Sequence, residues 1–79
     1  MGPMRSIRGE LAAAGLAVGG AELAQCDMAT RMAAFGLIET DLADALPEEL
    51  LEAVETFDDL AHFGNVRRAQ AGRPGVWTA

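Results

Sequence analysis

The chain has 79 residues, six arginines and no lysine, twelve acids, a single cysteine and a formal net charge of −6. One domain of this length buries only about 60–65% of the surface its unfolded form exposes, leaving no room for a deep pocket beside a full core. The charge excludes a nucleic-acid partner, which would need Lys or Arg clusters. A lone Cys26 excludes an intramolecular disulfide, so a reduced, cytoplasmic setting is expected.

Strand signals are nearly absent, because β-branched and aromatic residues are few and never alternate with polar ones. Residues 1–4 read as a vector-derived or disordered start, with Met4 a candidate native start. Ile7, Leu11 and Ala14 then follow helical spacing, and Gly15-Leu16 reads as a helix stop: glycine takes the left-handed conformation and leucine folds back on the last turn. Arg5 and Arg8 before LAAAGLAVGGA (11–21) have the layout of a signal peptide, and LAQC (23–26) resembles a lipoprotein box. Glu10, the diluting glycines and Gln25 count against that reading. The apolar run is also far short of the ~20 residues that span a bilayer, so no membrane association is expected.

Met28, Met32 and Phe35 repeat the helical spacing as a core-facing stripe and end in Gly36-Leu37, the same punctuation as before. Thr40 is placed to cap a short helix through Leu42 and Leu46. Pro47 suits the first turn of the next helix, where no backbone donor is needed, and Glu48-Glu49 favour the positive end of its dipole. Leu50, Leu51, Val54 and Phe57 line one face of that helix. Thr56 with Asp59 reads as a capping box opening a last helix that buries Phe57, Leu60 and Phe63. Beyond Gly64, NVRRAQAGRPGVWTA loses its periodicity and reads as a flexible tail. The expected fold is therefore all-α: four or five short helices over residues 5–63, followed by a flexible tail over 64–79.

LPEELLEAVETFDDLAHF (46–63) resembles the C-terminal third of an acyl carrier protein. In that family helix II ends near a Leu-Pro or Ile-Pro pair, a short acidic helix III follows, and helix IV opens with a Thr-Val-x-Asp-Leu type sequence. Leu46-Pro47, Glu48-Glu49, Val54, Thr56-Phe57, Asp59-Leu60 and Phe63 occupy the matching positions. The family's phosphopantetheine-bearing serine would fall on Met28, or on Asp27 with one residue inserted, and ELAQCDMA (22–29) offers no hydroxyl there. The only serine of the chain is Ser6. The resemblance thus implies a carrier-like domain without the arm, and no cofactor. It also implies that Asp27, Glu39, Asp41, Glu48, Glu49 and Glu52 form an acidic docking face for a basic surface on a biosynthetic enzyme.

The charge distribution points the same way without the family. No arginine lies between Arg31 and Arg67, an interval rich in acids, and such a block suits a basic protein partner or a merely solvated face. A rival reading is a ribosomally made precursor: residues of about 5–64 form a folded leader, and 65–79 form the segment that a maturase modifies. In that reading Trp77 is an exposed substrate residue; otherwise it folds back over the core. Enzyme chemistry is not expected, since His62 is the only histidine and Cys26 has only Arg31 nearby to favour its thiolate. No Cys/His cluster suggests zinc, and the carboxylates lack the spacing of a calcium loop.

Overall fold

A computed structural model describes residues 3–79, so the first two residues of the expected disordered start lie outside the described residues; Met4 is exposed. Strand β1 (Arg5–Ser6) leads directly into helix α1 (Ile7–Ala13). A 3-10 turn (Leu23–Gln25) precedes helix α2 (Met28–Leu42). Two further helices follow, α3 (Glu49–Ala53) and α4 (Phe57–Gln70), and strand β2 (Trp77–Thr78) comes last. β1 and β2 pair in parallel, with Arg5 opposite Trp77 and Ser6 opposite Thr78. The fold is mostly helical with four α-helices, as expected, but it is not all-α.

Local chemistry explains most boundaries. Ser6 caps α1 by accepting from the Gly9 N–H at 3.0 Å, Asp27 caps α2 from Thr30 at 2.8 Å, and Thr56 caps α4 from Asp59 at 2.9 Å. Helix α1 ends as its sequence suggests. Gly15 has φ +85°, the Leu16 N–H reaches the Leu11 carbonyl at 3.0 Å, and the Gly15 N–H reaches Ala12 at 3.0 Å. Gly72 closes α4 in the same way, with φ +73° and the Arg73 N–H on the Arg68 carbonyl at 2.9 Å.

Gly36 does not stop its helix. α2 runs straight through the expected break and takes in Thr40–Leu42 of the short helix expected through Leu46, while residues 43–46 form a turn. Its end falls at Ala43, left-handed at φ 54°, where the Asp44 N–H bonds the Glu39 carbonyl at 3.2 Å. An alanine in that conformation costs about 1–2 kcal/mol, so tertiary contacts rather than local preference set this end. Glu39 supplies one, its carboxylate accepting from the Leu46 N–H at 2.8 Å and shaping the turn into α3.

The flexible tail expected over 64–79 is also absent. α4 continues through Gly64 to Gln70, and the chain then doubles back so that Val76 and Trp77 enter the core. Gly64 is a packing site, not a stop: a Cβ there would lie 3.1 Å from both Ile38 Cδ1 and Trp77 Cδ1. Asn65 then holds the returning strand. Its Oδ1 accepts from the Val76 and Trp77 N–H groups, both at 2.9 Å, and its Nδ2 donates to the Trp77 carbonyl at 2.9 Å. Trp77, 2% exposed, thus joins Ile7, Leu11, Leu23, Ile38, Phe57 and Leu60 in one core drawn from α1, the 3-10 turn, α2, α4 and β2, with Leu50 and Leu51 of α3 packed partly buried against it.

Candidate functional site

The residues expected on an acidic face divide into two groups. Asp41 faces inward. Its side chain is 8% exposed and accepts from Arg68 Nη1 at 2.7 and 2.8 Å, Arg73 Nη2 at 3.2 Å and Trp77 Nε1 at 3.2 Å. Arg5 Nη1 stands 3.7 Å away. One carboxylate therefore gathers three guanidinium groups and an indole from both ends of the chain. Burial pushes the Asp41 carboxyl up, but the Arg68 and Trp77 hydrogen bonds and the charges of Arg68 and Arg73 outweigh it and hold it below the ordinary carboxylate value. Asp41 is a buried structural junction that offers little of its carboxylate to the surface. Glu39 is half-buried and engaged by the Leu46 N–H.

Asp27, Glu48, Glu49 and Glu52 are exposed. The Asp27 carboxyl is held below its usual value, first by the Thr30 backbone N–H and then by the Thr30 hydroxyl. Glu48, Glu49 and Glu52 lie on or beside α3, and exposed Glu55, Asp58 and Asp59 continue the same charge into the start of α4.

The fate of the arginines decides what this surface presents. Arg5 pairs with Glu10 at 2.8 Å and lies 4.3 Å over the Trp77 ring. Arg8 covers Phe57 at 4.6 Å, and Arg31 donates to the Leu51 carbonyl, tying α3 to α2. Arg67 pairs with Asp44 at 3.0 Å; Arg68 and Arg73 converge on Asp41. All six arginines thus act within the fold. Of the twelve acids, only Glu10, Asp41 and Asp44 pair with an arginine among the described residues, which leaves nine. Sequence spacing placed the basic residues at the ends but could not reveal that both ends fold back to neutralise α2 and leave α3 unbalanced.

Beside α3 the surface is apolar. Met28 and Met32, expected in the core, are 54% and 58% exposed, and only Phe35 of that stripe is buried. The roll of α2 sets this exposure: Thr30, Ala34 and Ile38 face the core with Phe35, which turns Met28 and Met32 outward. Met32, Phe35, Glu39, Leu46, Pro47, Glu48 and Leu51 enclose an open groove of about 150 Å³ between α2 and α3.

At the position where a carrier protein has its serine, Met28 opens α2 behind Asp27, and no hydroxyl is exposed there: Thr30 is buried and Ser6 caps α1. Cys26 is half-buried, its thiol donating to the Glu22 carbonyl at 3.5 Å, and His62 is exposed on α4. Trp77 is not an exposed tail residue, since its ring is enclosed and its N–H engaged. Among the described residues no three His, Cys, Asp or Glu side chains converge as a metal cradle, and no helix is long and apolar enough to cross a membrane. Comparison of the chain with protein-family models, with curated proteins and with solved structures finds no match.

Proposed function

We propose that this protein is a non-catalytic docking module that binds a basic protein surface through α3 and the turns flanking it. The observation that carries the reading is electrostatic. Every arginine is engaged internally, while Glu48, Glu49, Glu52, Glu55, Asp58 and Asp59 stand exposed with no arginine partner among the described residues. Such a one-signed surface raises the encounter rate with a basic partner and repels acidic ones, governing partner choice more than raw affinity. A biosynthetic enzyme is the partner class that the carrier-protein resemblance implies. The rival precursor reading would require a maturase to draw Trp77 out of the core, and no feature of residues 65–79 favours it.

The test is crosslinked co-purification from the native host with intact-mass measurement, followed by titration of the purified pair. The expected result is an unmodified chain whose affinity falls steeply with ionic strength and falls again with Glu48→Lys/Glu49→Lys. Salt-independent binding that ignores the charge reversal would refute the proposal, and a phosphopantetheine mass increment would refute its non-carrier part.

A further inference from the structure

The groove between α2 and α3 has a mostly apolar lining and an acidic rim. Met32, Phe35, Leu46, Pro47 and Leu51 line it, while Glu39 and Glu48 stand at its edges. Met28 extends the apolar stripe by one helical turn toward Asp27, and both methionines leave more than half of their surface in water. A surface methionine pair beside an open groove is costly to hydrate and adapts readily to a partner's shape.

Small-molecule pockets occupy about 300–1,000 Å³ and enclose most of their ligand. At about 150 Å³ this groove is too small and too open for that role, but it has room for a single large apolar side chain. A second copy would bring another net charge of −6, and its arginines are committed within its own fold. A segment of another protein carrying an apolar anchor between basic residues satisfies both the groove and its rim.

We infer that the α2–α3 groove is the seat for an amphipathic basic helix of a partner protein. One large apolar side chain enters between Met32 and Leu51, and Lys or Arg one turn to either side meets Glu48, Glu49 and Asp27. This inference rests on the docking reading above and adds to it the shape of the partner segment. The turn into α3 is pre-formed, with the Glu39 carboxylate accepting from the Leu46 N–H at 2.8 Å, so binding need order little of that edge of the groove.

Selection from a phage-displayed library of helical peptides against the full chain tests it. Enriched peptides should carry an apolar residue flanked at one-turn spacing by Arg or Lys, and should shift the ¹³C-methyl resonances of Met28 and Met32. Met32→Gln should weaken them about tenfold, the scale of losing part of one buried apolar side chain. Its melting temperature should not change, because Met32 is largely exposed. Enriched peptides weakened by salt and by Glu48→Lys/Glu49→Lys but indifferent to Met32→Gln would sink the groove and leave the acidic docking face standing. Indifference to both changes would sink both readings, and a selection that enriches nothing, or only acidic peptides, would also overturn the groove.

Discussion

Replacing Asp41 by Asn should remove the charge that three arginines share while keeping the side chain's shape. Asp41 and Arg68 are 8% and 9% exposed at their side chains, so the change leaves a guanidinium buried without its counter-ion. Breaking a buried pair by neutralising one partner costs about 3–5 kcal/mol. Arg68 keeps its bond to the Pro74 carbonyl at 2.7 Å, and asparagine can still accept from one donor, which points to the lower end, about 3 kcal/mol. A domain of this length has a total stability of about 4–12 kcal/mol. The melting temperature should therefore drop by roughly 12–24 °C. Thermal and urea unfolding, followed by far-UV circular dichroism and by the emission of the single tryptophan, measure it. Asp44→Asn is the control. Its carboxylate is 62% exposed in the pair with Arg67, and its loss should change stability by no more than about 0.5 kcal/mol. The acid dependence has a definite sign. The folded-state value of Asp41 lies below its ordinary 3.8, so its stabilisation is fully present above that value and is lost as pH falls through the lower folded one. The gap between the wild type and Asp41→Asn should accordingly narrow only below about pH 4. A variant within 0.5 kcal/mol of the wild type at neutral pH, or a gap that does not change with acid, would refute the junction.

Asn65→Ala should cost about 2–3 kcal/mol by stranding the Val76 and Trp77 backbone groups that it satisfies, and should shift Trp77 emission to the red. Unchanged emission would show that β2 is held by other means. Gly64→Ala gains about 1 kcal/mol of helix propensity but drives a methyl into Ile38 and Trp77. The overpacking costs about 1–3 kcal/mol, so urea midpoints should show a net loss, and a more stable variant would contradict the close approach.

The parts of the fold that could be read in advance are those governed by residues near one another in sequence. Gly15-Leu16 ends α1 and Thr56 caps α4 because both devices act within one turn. Glycine was ambiguous at 36 and 64, since the same residue that permits a left-handed stop also permits close packing or a bare helix surface. Only the neighbours of Gly64, which are Ile38 and Trp77, distinguish these uses, and they lie 26 and 13 residues away. The Gly- and Pro-containing end looked unstructured for a related reason. What orders it is a set of polar bonds from Asn65, Arg68 and Asp41, and these leave no periodic trace. On the candidate site, exposure of Asp27, Glu48, Glu49 and Glu52 agrees with the sequence reading. The fates of Asp41, Met28 and Met32 depend on which way α2 is rolled. A helix with small residues on several sides does not declare its roll, so a methionine stripe at helical spacing could equally have been core.

The parallel register of β1 and β2 bears on how the protein would respond to force. Because the two short strands run the same way, residues before Arg5 leave from one end of the ladder and residues after Thr78 from the other. Tension between the two ends of the chain would load the Arg5–Val76 and Arg8–Ala79 backbone bonds together, in shear. An antiparallel pair pulled from adjacent ends would instead unzip one bond at a time. A partner or neighbouring segment tugging on both ends would meet its main resistance at this small clamp, before any helix is strained.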